Sequence, residues 1–135
     1  MKIVLAMTMV LLMSGGAMAQ GFNAQGSAVV PNLVYFFQSG TYWSVPYITL
    51  SNITGENVTC NIAVYDDSGN DITHRATVNA GGTTNWSVVS KGTGVFEIPP
   101  YSTRMFHLWD SSSKICTVGY ATIEWKSDNL KLRKA

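Results

Sequence analysis

The sequence predicts an all-β chain, a single antiparallel β-sandwich of about seven short strands. Three observations carry this. Residues 57–66 alternate cleanly, with Val58, Cys60, Ile62 and Val64 on one side and Thr59, Asn61, Ala63 and Tyr65 on the other. That two-residue period marks a half-buried strand. Beyond residue 19 no stretch of about twelve residues keeps a helical apolar period. Turn-forming runs of Asp, Asn, Ser and Gly separate the alternating segments at spacings of about ten residues, the rhythm of a two-sheet fold.

Taken in order, the chain opens with a targeting segment. Lys2 supplies a positive charge, residues 3–13 are almost unbrokenly apolar, and Ser14-Gly15-Gly16 leads to Ala17-Met18-Ala19, a small-x-small cleavage signal. Residues 1–19 therefore read as a secretory signal peptide. Their apolar stretch is about eleven residues, whereas a membrane span needs about twenty. Residues 20–27 read as an N-terminal arm, 28–126 as the β domain and 127–135 as a basic C-terminal tail.

Within the domain, strands are expected at 28–38, 45–50, 57–66, 85–89, 95–98, 103–109 and 115–125. The segments 45–50 and 57–66, joined by a Gly-containing connection, predict a hairpin. Pro99-Pro100 ends the 95–98 segment and confines it to an edge or an end. In 115–125 strict alternation places Cys116, Val118 and Tyr120 opposite Ala121, Ile123 and Trp125. A bulge at Gly119-Tyr120 would bring Cys116, Val118, Ala121, Ile123 and Trp125 onto one core face.

Composition bounds the function. The chain has 135 residues, enough for one domain, and Lys plus Arg (9) barely exceeds Asp plus Glu (8), so no basic stripe can follow a phosphate backbone. Near-neutrality hides an asymmetry. Residues 20–125 carry four basic and seven acidic groups, while 126–135 carry four basic groups and one acid. In an exported chain the two cysteines, Cys60 and Cys116, are most simply one disulfide. Closing that loop of about 57 residues would contribute about 4 kcal/mol by chain entropy.

Catalytic constellations are nearly absent. His74 and His107 lack zinc-ligand spacing, and no nucleophile elbow, phosphate loop or dinucleotide fingerprint occurs. His107 falls on the side opposite Phe106 and Leu108, which places it on an outer face. Glu97 and Glu124 fall on strands and read as solvated carboxylates, with a glycosidase pair as the alternative. Asp66, Asp67, Asn70 and Asp71 form the densest oxygen cluster; its plain reading is a tight turn, and weak calcium binding is the alternative. Asn52, Asn57 and Asn85 each begin an Asn-x-Ser/Thr triplet. No cofactor is implied.

The aromatics give the best functional lead. Tyr35, Phe36, Phe37, Tyr42, Trp43 and Tyr47 fall within thirteen residues, and a strand sends consecutive rings to opposite faces. Some of them must be exposed or covered by a partner. Tyr42, Trp43 and Trp109 are the candidates for stacking on a sugar or a protein.

Residues 46–54, then 58–65 and Asp67-Ser68-Gly69-Asn70, with residues 96–103 and 119–125 later, resemble immunoglobulin-like and fibronectin-type modules of exported bacterial proteins. The resemblance covers most of residues 43–126 and implies an immunoglobulin-like sandwich. The chain departs from the antibody pattern in two places. No Trp follows Cys60 by ten to fifteen residues, and Lys114 stands two before Cys116, where that pattern has Tyr.

The function expected from these readings is a non-catalytic binding or assembly module of the cell envelope or extracellular space. It would meet a protein or glycan at an edge strand or the aromatic patch, with an oligomer compatible with either. The alternatives are a carbohydrate-binding module and a pilus-type structural subunit. Neither nucleic acid nor a membrane span enters the expectation.

Overall fold

A computed structural model describes residues 25–127. The proposed signal peptide, most of the N-terminal arm and residues 128–135 lie outside the described residues. Nine strands form: β1 (Gln25–Ser39), β2 (Tyr42–Ser44), β3 (Tyr47–Ser51), β4 (Val58–Tyr65), β5 (Ala76–Ala80), β6 (Ser87–Lys91), β7 (Val95–Ile98), β8 (Thr103–Leu108) and β9 (Ile115–Ser127). The only helical turn among the described residues is a 3-10 turn at Thr73–Arg75. The chain is all-β, with two antiparallel sheets ordered β2-β1-β9-β4-β7 and β3-β8-β5-β6. The five-stranded sheet curls into a half-barrel.

One core lies between the sheets. Tyr35, Ile62, Val64, Phe96, Ile98 and Ile123 face Ile48, Val78, Phe106 and Leu108, all buried. Each such side chain contributes about 1.5–3 kcal/mol of burial. The alternation read in β4 holds: Val58, Cys60, Ile62 and Val64 are buried, and the residues between them are not.

Four expectations are corrected. Among the described residues nine strands form, not about seven; β2 and β5 are the additions. The strand β1 starts at Gln25, inside the expected arm, and Ser127, assigned to the tail, is a buried end of β9. The segments 45–50 and 57–66 do not make a hairpin. The first becomes β3 and pairs with β8, whereas the second becomes β4 and pairs with β7 and β9 in the other sheet. Residues 52–57 therefore carry the chain from one sheet to the other.

The expected bulge at Gly119-Tyr120 is absent. β9 pairs regularly with β4 through Tyr120 and Ala121, and its odd-numbered residues face the core from Ile115 to Ser127. The irregularity lies in the neighbouring strand, between Val30 and Leu33 of β1, where Asn32 takes a positive φ of 57°. Pro31 just before it lacks the N–H a regular ladder would use. Gly119 is needed for a different reason. A Cβ there would come within 1.9 Å of the Tyr65 carbonyl oxygen, so only glycine admits the β4 backbone at that distance.

Candidate functional site

The short strand β2 sorts the crowded aromatics by face. Trp43 stands opposite Phe37 on β1 and Ser44 opposite Phe36, and directly paired residues share a face. Phe37 and Trp43 thus point inward, while Phe36 and Tyr42 point outward, where their rings meet edge-on at 4.7 Å. Inside, Trp109 receives both inward rings edge-on, Phe37 at 5.7 Å and Trp43 at 5.2 Å. Trp43 remains 43% exposed and Tyr42 66% exposed. Two of the three expected stacking residues, Trp43 and Trp109, come together. Tyr42 sits on the outer face beside them.

Trp109 is held by the backbone around it. Its N–H donates to the Arg75 carbonyl at 2.8 Å. Arg75 in turn pairs with Asp110 at 3.5 Å, donates to the Ser113 hydroxyl and lies 5.9 Å from the Tyr35 ring centre. The buried Tyr35 hydroxyl accepts from the Asp110 N–H at 3.2 Å and donates to its carbonyl at 3.4 Å. A core tyrosine thus ties the loop after β8 to the centre of the five-stranded sheet. The Ser112 hydroxyl and N–H, followed by the Arg75 and His74 charges, hold the Asp110 carboxyl below its usual range.

These groups border a cavity of about 280 Å³ lined by His74, Ala76, Lys91, Gly92, Trp109, Asp110 and Ser111. One wall is an indole; the rest carries two basic side chains, a carboxylate, a hydroxyl and backbone. The arrangement suits a polar ligand with a flat apolar face. His74, Lys91, Asp110 and Ser111 come from three separate loops and strand ends, and no local motif marks them in the sequence.

The remaining candidates are dispersed. Cys60 pairs in register with Trp125 and Cys116 with Phe36, so nine residues of extended β9 separate the two, roughly 30 Å. Disulfide partners need Cα atoms within about 7 Å. Both cysteines are free, Cys60 buried and Cys116 exposed, and the expected disulfide is corrected for this fold. Burial pushes the Cys60 thiol up to about 11, so it stays protonated and unreactive at neutral pH.

Asp66, Asp67, Asn70 and Asp71 do not converge on a cation. Asp66 accepts from the Ser68 and Asn70 N–H groups at 2.9 and 2.8 Å, Asp71 from the Thr73 N–H at 2.8 Å, and Asp67 from the Thr117 hydroxyl at 2.8 Å. The carboxylates close the turn, with Gly69 at φ 81°. Among the described residues no group of three or more His, Cys, Asp or Glu could hold a metal ion.

Glu97 and Glu124 are exposed on β7 and β9, with β4 between them. His107 lies on the outer face as expected, 5.4 Å from Tyr47. Its burial lowers its pKa, so it is neutral at pH 7. Asn52 is 5% exposed, and its amide donates to the carbonyls of Glu56, Ile98 and Pro99 at 2.6, 3.0 and 3.0 Å. That nitrogen is committed to the fold and is not a glycan acceptor. Among the described residues no helix is long and apolar enough to cross a membrane.

No family model matches the sequence, and no curated protein sequence matches it.

Proposed function

We propose that the chain is a non-catalytic binding module that engages a glycan at the Trp43–Trp109 end. The observation that carries this is the polar cavity walled by Trp109 and lined by His74, Lys91, Asp110 and Ser111, with Trp43 exposed at its tryptophan side. A pyranose ring has an apolar face for an indole and hydroxyls for the polar groups, and a buried ledge of this kind needs no catalytic acid. In this reading the module works outside the cytoplasm, in the envelope or extracellular space, as an immunoglobulin-like domain following a cleaved signal peptide.

The test is a glycan array probed with the full chain and with Trp43→Ala. We expect one glycan class to be retained by the wild type, with at least a fivefold loss in the variant. Retention unchanged by the substitution, or no retained glycan at all, overturns the reading.

A second reading has its own observation. On the outer face of the five-stranded sheet, Val34, Phe36, Val118 and Tyr120 lie on adjacent strands beside Tyr65, whose ring stacks on Tyr120 at 5.1 Å. Val34 and Val118 are about half exposed. An uncharged face of this kind supports assembly with a partner. Concentration-dependent oligomers in sedimentation, abolished by Val118→Lys, would favour assembly over sugar binding.

A further inference from the structure

The opposite end of the molecule holds a second cavity, also of about 280 Å³ and of a different chemistry. Leu50, Ile53, Val58, Cys60, Ile98, Ile123 and Trp125 supply its walls, and the polar residues Ser51, Asn52 and Thr54 stand at its edge. None of the lining residues is charged. Its polar edge is internally satisfied: Asn52 Oδ1 accepts from the Thr54 hydroxyl at 2.7 Å, and the Ser51 and Thr103 hydroxyls share a 2.8 Å bond. The Trp125 indole lies across Gly26, where a Cβ would come within 2.4 Å of it. Beyond it Ala28, directly opposite Ile123 and on the same face, is exposed.

A second, independent observation sits beside it. Arg104 pairs directly with Leu50, so it shares the inward face with a cavity-lining residue. Its Nη1 donates to the Thr103 carbonyl at 3.0 Å, and its Nε is shut off from solvent with no partner. Among the described residues the one ion pair is Arg75 with Asp110, so no carboxylate answers Arg104. Arg104 is only partly buried and its Nη1 bond is exposed, so the guanidinium head stays open to an anion while its buried Nε goes unused.

We infer that this end binds a free medium-chain fatty carboxylate, its hydrocarbon in the cavity and its carboxylate on Arg104. Apolar walls select the chain, and the unpaired guanidinium selects the charge. At about 30 Å³ for each water-sized group, the cavity holds about nine such groups, which sets the chain near eight carbons. An alcohol of the same length would fill the cavity and leave Arg104 unanswered.

The experiment is calorimetric titration of the full chain with octanoate and with 1-octanol, both below micellar concentrations. Octanoate should bind one to one and more tightly than octanol. Arg104→Gln should weaken octanoate on the order of tenfold, as loss of a charge-assisted contact does, and leave octanol within twofold. Leu50→Trp should block both ligands. Because Leu50 is half-buried and its replacement risks misfolding, Ile53→Trp, on an exposed part of the lining, serves as the second blocking variant. Trp43→Ala should leave octanoate binding unchanged, which separates this site from the glycan site. Absence of octanoate binding, equal loss of both ligands in Arg104→Gln, or binding that survives both tryptophan variants overturns the proposal.

Discussion

The two ends of the molecule solve opposite packing problems with cavities of similar volume. At the tryptophan end the walls are mixed, one indole face among charged and hydroxylic groups, and the loop after β8 is tied down by polar contacts from Tyr35 and Arg75. At the other end the walls are apolar and uncharged, and a single amide, Asn52, holds the crossing between sheets against three carbonyls. The difference teaches where each end is vulnerable. Polar loop contacts facing solvent are individually weak, whereas a buried amide satisfying three acceptors concentrates the cost of its loss in one place.

The largest expected effect is therefore at the apolar end. Asn52→Ala leaves the Glu56, Ile98 and Pro99 carbonyls without this donor and should cost about 2–3 kcal/mol, read as a shift in the urea midpoint. If the substitution proves neutral, the crossing is not held as described and the contrast between the ends fails. Next comes Tyr35→Phe at the tryptophan end, which removes a hydroxyl bonded to the Asp110 backbone but keeps the buried ring. It should cost about 1 kcal/mol, by the same measurement. A loss as large as that of Asn52→Ala would show that the two ends are held alike.

The smallest effect is electrostatic. The folded-state pKa of Asp110 lies below its unfolded value, the ionised form being favoured chiefly by the Ser112 bonds and then by Arg75 and His74. Its contribution is present above the unfolded pKa of about 4 and is lost as pH falls through the lower folded value. Asp110→Asn should therefore destabilise slightly at neutral pH and converge with the wild type in acid. Thermal melts between pH 7 and pH 3 read the convergence, and a constant offset across that range would remove Asp110 from the account.

How far the sequence foretold all this depends on locality. β4 and β7 are legible because alternation is a property of neighbouring residues; 95–98 is found to the residue. β5, Ala76-Thr77-Val78-Asn79-Ala80, alternates apolar and polar over only five residues, too short a run to stand out from a loop. Its Thr77 and Asn79 stand beside His107 and Met105 of β8 and are buried as well. Pairing is likewise nonlocal: nothing within 45–66 tells that its two strands join different sheets. Crowding of rings singles out Trp43, and the fold sets it edge-on against the distant Trp109. His74, Lys91 and Asp110 acquire meaning only once three distant segments meet around Trp109, and Arg104 only once its register with Leu50 is known.

The long ladder between β1 and β9 joins the first and last described strands along most of their length. During synthesis, β1 has no neighbour to its inner side until β9 emerges, and β4 likewise lacks its main partner. The centre of the five-stranded sheet must wait for the final strand, while the four-stranded sheet and the β1–β2 and β4–β7 pairs need none of it. Pairings between such distant segments close slowly, and the waiting edges are open to wrong partners. A polypeptide wired in this way closes its larger sheet last, and a truncation that removes β9 leaves β1 and β4 without the strand that joins them.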